Sequence, residues 1–200
     1  SVFASTNPVL WDLDSGQPKG QILDVACIGN WTAFSPDGSQ LATIHANGTV
    51  SFWDLTRKRL LGRPRGHYDH GRAMAFSPDG RIAASGAEDI ILWDAATRTK
   101  LVRLEHTAIV WSIAFSPDGR WLVSGHVDGS ILLWDVAGRE RAASFKEHSA
   151  PVRAVAFSPD GTRLASGSED HSVIVWDTGS GRKEAVLIGH GSRVVGVDFS

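Results

Sequence analysis

Trp-Asp pairs recur along this chain at Trp11-Asp12, Trp53-Asp54, Trp93-Asp94, Trp134-Asp135 and Trp176-Asp177, so successive tryptophans lie 42, 40, 41 and 42 residues apart. Between them, in step, stand four copies of Phe-Ser-Pro-Asp-Gly beginning at Phe34, Phe76, Phe115 and Phe157. A fixed period of this length means one supersecondary unit repeated, each copy burying its apolar face against the next. Repeats of this kind build surfaces more readily than reaction centres.

The stretch from Val152 to Ile188 serves as the template. Val152–Phe157 is an apolar-rich strand pattern, and Ser158-Pro159-Asp160-Gly161 follows it. Proline presets the second turn position, aspartate suits the third and glycine closes the fourth, which predicts a type I turn. Arg163–Gly167 reads as a second strand and Val173–Trp176, β-branched and aromatic, as a third ended by Asp177. Lys183–Ile188 is the fourth. Four short antiparallel strands per unit with no intervening helix describe a propeller blade.

These residues resemble the WD-repeat β-propeller family over essentially the whole chain. Gly66-His67 and Gly189-His190 precede two units, with Glu105-His106 and Glu147-His148 in the same place in two others. The resemblance implies an all-β, incomplete propeller. Four full blades are expected at about 31–63, 72–105, 110–145 and 152–188, with partial-blade strands within 8–26 and 190–200, Val194–Phe199 being the first strand of a further unit. Propellers of the family usually carry seven blades, so the rest of a longer polypeptide is expected to complete the ring. Alone, these 200 residues would expose two blade faces and should self-associate. The regular Ser-Pro-Asp-Gly turns also resemble bacterial propellers appended to kinases or NTPases.

Each unit places four polar residues at fixed offsets. His148, Ser166, Asp170 and Trp176 are separated by 18, 4 and 6 positions, and His106, Ser124, Asp128 and Trp134 repeat those offsets. His67, Ser85, Asp89 and Trp93 follow with a shorter last step. Serine, histidine and aspartate could make a nucleophilic triad. A catalytic set occurs once, however, whereas this one recurs in register with tryptophan. The indole N–H needs an acceptor, which serine supplies while passing a hydrogen bond to histidine and on to aspartate. The family uses such a relay, and the expectation is a structural device within each blade. The first complete unit has Val25 in place of histidine, with Thr43, Asn47 and Trp53 at the other positions, so its relay is expected to be broken.

Function is then sought in positions that do not repeat. Four residues before each phenylalanine stand Asn30, Arg72, Trp111, Arg153 and Val195. Six before it stand Ile28, His70, Ile109, Pro151 and Arg193, and just before the turn acid lie Ala46, Glu88, Val127 and Glu169. In the resembled family these positions open onto one rim and contact partners. Arg72, Trp111, Arg153, Arg193, Glu88, Glu169 and His70 are therefore the candidate partner-binding residues.

The remaining features narrow the class. A formal charge of −2 supplies no basic field for nucleic acid or an anionic membrane, and no apolar run is long enough to span a bilayer. The single cysteine, Cys27, is compatible with a reducing compartment, and a cytoplasmic location is expected. His67-Tyr68-Asp69-His70 is better read as a loop than as a zinc site, so neither metal nor cofactor is implied. The sequence thus points to a non-enzymatic platform for a protein or peptide partner, within a larger regulatory or signalling protein. The alternative is an accessory or sensor propeller of a kinase, NTPase or protease whose catalytic domain lies elsewhere.

Overall fold

The computed structural model describes residues 9–11, 15–21, 29–68 and 70–200. Strands β1 (Val9–Trp11) and β2 (Pro18–Gln21) pair antiparallel. Four four-stranded antiparallel sheets follow, each a meander in chain order. The first comprises β3 (Gly29–Phe34), β4 (Gln40–His45), β5 (Val50–Asp54) and β6 (Arg59–Gly62). The second comprises β7 (Ala73–Phe76), β8 (Ile82–Gly86), β9 (Ile90–Asp94) and β10 (Lys100–Leu104). The third comprises β11 (Val110–Phe115), β12 (Trp121–His126), β13 (Ile131–Asp135) and β14 (Glu140–Phe145). The fourth comprises β15 (Val152–Phe157), β16 (Arg163–Ser168), β17 (Ser172–Asp177) and β18 (Lys183–Ile188). The described residues are all-β, with no helix long and apolar enough to cross a membrane.

The core lies between sheets, and strand periodicity explains why. Successive side chains of a strand face opposite ways, so a strand with a sheet on each side must be apolar throughout. In β9, Ile91 and Trp93 pack back onto Ala42, Ile44, Val50 and Phe52 of the first blade. Ile90 and Leu92 pack forward against Leu122, Leu132 and Trp134 of the third. In β13, Ile131 and Leu133 meet Val155, Ile174 and Trp176 of the fourth. Each conserved-register tryptophan from Trp93 onward therefore seals its blade to the preceding one. The first strands β3, β7, β11 and β15 lie side by side, each in contact with the next. Val155 N–H donates to Ser112 Oγ across one such junction (3.2 Å).

The phenylalanine-led turns are built alike. Gly38, Gly80, Gly119 and Gly161 donate to the carbonyls of Ser35, Ser77, Ser116 and Ser158 at 2.8–2.9 Å. Each serine hydroxyl donates to the turn aspartate, as Ser158 does to Asp160 Oδ1 (2.6 Å), and accepts the N–H five residues on, Arg163 in that blade (2.9 Å). Bonds from Ser158 and from Thr162 hold the Asp160 carboxyl down at about 2, and Ser35 and Ser39 do the same for Asp37. The glycines have φ between +69° and +72°, the left-handed region that a Cβ disfavours. From Asp54 onward, the aspartate of each Trp-Asp closes the next turn. Asp94 Oδ1 accepts Thr97 N–H, Asp135 Oδ1 accepts Gly138 N–H and Asp177 Oδ1 accepts Ser180 N–H, all at 2.7 Å.

One strand expected from the sequence is not formed. Residues 189–200 carry no strand ladder, because no described strand lies alongside to pair with them. The segment still docks on the fourth blade: Val194 N–H donates to Ser168 O (2.9 Å), and Val194, Val197 and Phe199 pack on Ala165 and Val173.

Candidate binding face and buried relays

In the second blade Trp93 Nε1–H donates to Ser85 Oγ (2.8 Å), Ser85 contacts His67 Nε2 (2.7 Å), and His67 Nδ1 contacts Asp89 Oδ1 (2.9 Å). Asp89 can only accept, so His67 carries its proton on Nδ1 and accepts the hydrogen bond of the Ser85 hydroxyl at Nε2. The fourth blade repeats the chain through Trp176, Ser166, His148 and Asp170 at 3.0, 2.8 and 2.8 Å. Burial alone would raise the Asp170 carboxyl, but bonds from Ser172, His148 and the Ser149 N–H outweigh it and bring it to about 2. Ser85, Ser124 and Ser166 are wholly buried. Each of these hydroxyls accepts from an indole N–H and is bonded to an imidazole nitrogen, so its hydrogen bonds are made within its own blade.

The third blade departs from the expected relay. Trp134 donates to Ser124 (2.8 Å), but Ser124 is bonded to His126 Nε2 (2.7 Å), not to His106. His126 lies two residues beyond Ser124 on the same face of β12 and reaches the hydroxyl from within the strand. Its Nδ1 donates to Ala108 O (3.2 Å), while His106 Nδ1 accepts Ala108 N–H (2.9 Å). The two imidazole rings lie 3.9 Å apart between centroids. Asp128 turns away to Ser130 (2.6 Å) and to Lys146 (3.7 Å). His106 and Asp128 are therefore outside the chain of bonds that the spacing assigned them.

The first blade uses the same substitution. His45, two residues beyond Thr43, contacts Thr43 Oγ1 (3.1 Å) and Ser51 Oγ (2.8 Å). Trp53 Nε1 is buried with no hydrogen-bond partner among the described residues, and Asn47 caps its own turn through Thr49 N–H (3.1 Å). Val25 lies outside the described residues. A histidine two places after the relay hydroxyl was the available signal in both blades.

Burial holds His126 well below the ordinary imidazole range, at about 4, and the neighbouring His106 adds to this. The unfolded chain takes up the proton near pH 6.5, the folded one only near 4, so stability is lost as pH falls across that window. The loss should be on the order of 3 kcal/mol by pH 4. Urea midpoints measured between pH 7 and 4 should fall steeply for the native chain and less for His126→Asn. The turn and relay aspartates held near 2 add their own loss mainly below pH 4, as the unfolded carboxyls take up protons around 3.8.

Arg103 on β10 was not anticipated. Its guanidinium pairs with Asp89, donates to Gly66 O and lies 5.2 Å over the Tyr68 ring. It thereby extends the second relay to the surface. Glu88 accepts Tyr68 N–H (2.8 Å). His67, Glu88 and Asp89 bring three ligand-type atoms within 4.8 Å of one another. Both imidazole nitrogens are engaged and Arg103 pairs with Asp89, which leaves Glu88 Oε2 as the group's buried atom without a hydrogen-bond partner among the described residues. Asp69 lies outside the described residues, and His70 is exposed in the loop before β7.

Arg72, Trp111 and Arg153 occupy equivalent places at the start of three adjacent first strands. The guanidinium carbons of Arg153 and Arg72 lie 3.6 and 4.7 Å from the Trp111 ring centroid. Arg153 pairs with Glu169. Trp111 Nε1 and Arg72 Nε are buried without hydrogen-bond partners, as is Glu88 Oε2. Arg193 is exposed and joins the same edge, since the next residue bonds Ser168 beside Glu169. Sidedness thus brings together four of the seven non-repeating candidates, places Arg193 next to them, and leaves Glu88 with the Arg103 group.

Four-stranded meanders stacked through their third strands, with first strands abutting, define the blades of a β-propeller repeat protein. The family model "WD40: WD domain, G-beta repeat" matches residues 14–54, 58–94, 98–135 and 139–177, each match ending on the aspartate of a Trp-Asp pair, and the chain belongs to this family. It is 30% identical over 130 residues to the small ribosomal subunit protein RACK1y of Oryza sativa subsp. japonica, covering 63% of this chain and 37% of that protein. It is 28% identical over 125 residues to the protein groucho of Drosophila melanogaster, covering 60% of this chain and 17% of groucho. With the transcription factor unc-37 of Caenorhabditis elegans it shares 30% identity over 139 residues, 66% of this chain and 22% of that one. The chain thus spans well under half the length of these relatives.

Proposed function

We propose that the chain is a non-catalytic platform for protein–protein contact, acting as one part of a larger regulatory or signalling protein. The observation that carries this reading is a contrast. The relay serines Ser85, Ser124 and Ser166 are wholly buried and spend their hydrogen bonds within the blades, whereas Arg72, Trp111, Arg153 and Glu169 gather at one end of the first strands, with donors of Arg72 and Trp111 unmet. Tryptophan and arginine are the side chains enriched in interface hot spots. The similarity to a ribosomal subunit protein and to a transcription factor supports a role in assemblies. The partner meets this face, and the bonded blades keep it rigid.

Selection from a displayed random-peptide library on the intact protein should recover binders. Their retention should fall at least tenfold on the combined Arg72→Met, Trp111→Ala, Arg153→Met variant. Binders unaffected by that variant would move the partner site elsewhere, and none at all would remove the platform reading.

A further inference from the structure

We infer that the Arg72–Trp111–Arg153 row is a receptor for the carboxylate of an acidic side chain in an extended partner peptide. This rests on the platform reading and specifies its chemistry. Arg153 has its counter-ion in Glu169. Arg72 makes no ion pair within 4 Å among the described residues and is held instead against the Trp111 indole, 4.7 Å from the ring centroid. The row therefore carries two guanidinium charges against one carboxylate, an excess of one positive charge in a half-buried setting.

Within the row, the unmet groups have one sign of demand. Arg72 Nε and Trp111 Nε1 are both donors, both buried and both without an acceptor. A guanidinium and an indole N–H accept nothing, so the missing partner must be an acceptor, and the surplus charge makes it an anion. A carboxylate offers two oxygens in a plane, which matches the arginine fork, and small shifts of the stacked side chains would open the donors to it. The stacking holds the arginine ready while it waits, since a guanidinium gives up little hydration on an aromatic face. Glu169 then acts as an internal competitor, occupying Arg153 until the incoming carboxylate shares it.

The location suits a peptide. The three residues stand across three neighbouring first strands, each in contact with the next, so an extended chain laid across them would set one side chain per blade. Arg193 continues the row beside Glu169 and offers a place for a second acid.

The test uses the intact protein and two short fluorescein-labelled peptides, one alternating glycine with glutamate and one glycine with glutamine, read by anisotropy at low and moderate salt. The glutamate peptide should bind at least tenfold more tightly. Arg72→Met, which keeps the stem packed on the indole, should erase that difference, and Trp111→Phe, which keeps a ring but removes the N–H, should weaken binding several-fold. Glu169→Gln should strengthen it several-fold by freeing Arg153, an effect that a purely structural row would not produce. Arg163→Ala, which breaks the exposed pair with Glu184 on β18, should leave binding unchanged. Equal affinity for both peptides, insensitivity to Arg72→Met, or tighter binding of a short DNA duplex or a phosphoserine peptide would each overturn the carboxylate assignment. Library binders that require the row but carry no acid would overturn it too, while leaving the platform reading intact.

Discussion

Ser166→Ala should destabilise the fourth blade by about 2–4 kcal/mol, whereas Thr43→Val should cost the first blade under about 1 kcal/mol. Among the described residues Trp176 Nε1–H donates to Ser166 Oγ alone, and that hydroxyl is also bonded to His148 Nε2. Removing it leaves an indole N–H and an imidazole nitrogen enclosed and unpaired, each at a penalty of about 1–3 kcal/mol. The loss should spread to the loop that His148 and Asp170 hold together. In the first blade the equivalent indole, Trp53, already lacks a partner among the described residues, and His45 keeps its bond to Ser51 when the Thr43 hydroxyl is gone. Repeat units unfold with largely local energetics, so hydrogen exchange along β16 and β17 should report the effect more sharply than a whole-chain melt. Ser166→Ala within about 0.5 kcal/mol of the native chain would show that the relay contributes little.

The blades were readable because the signals that make them are local and repeated. Ser158-Pro159-Asp160-Gly161 forms its turn from its own four residues and Arg163, and apolar third strands such as Ile131–Trp134 declare burial on both faces without reference to a neighbour. The Arg72–Trp111–Arg153 stack was readable for a related reason: the three stand at one register position, and alike positions in stacked units must meet. What escaped was the choice among competitors in space. Ser124 has two histidines within reach, and the nearer one in sequence, His126, takes it without ordering a loop. Arg103 joins Asp89 across the blade edge from ten residues after Trp93, a place that Arg63 shares in the first unit but Ser144 and Val186 hold in the others, so the repeat marked it only weakly. The segment from Val194 to Phe199 has a strand pattern, yet a ladder needs a second strand, and periodicity reports side-chain burial alone.

The exchange between Ile44 and Gly71 should show strong coupling in a double-mutant cycle. At three blade junctions the residue after the relay serine is glycine, and a valine of the following unit fills the space: a Cβ added at Gly86, Gly125 or Gly167 would stand 2.7, 2.6 or 2.7 Å from Cγ1 of Val110, Val152 or Val194. At the first junction the sizes are reversed. Ile44 follows Thr43, and Gly71 occupies the valine position, where an added Cβ would stand 2.1 Å from Ile44 Cγ1. The junction holds one branched side chain, supplied from either side. Gly71→Val alone should overpack it and destabilise by about 2–3 kcal/mol, because Ile44 is enclosed by Val50, Phe52 and Trp93 and has nowhere to move. Ile44→Gly alone should cost about 4–5 kcal/mol through the cavity and the added chain freedom. Together the changes recreate the arrangement of the other three junctions, and the double variant should lie at least about 2 kcal/mol above the sum of the singles. Urea unfolding of the four proteins measures the coupling. Additive losses within about 0.5 kcal/mol would mean that the junctions tolerate their contents independently, and that the reversed sizes at the first one have no packing cause.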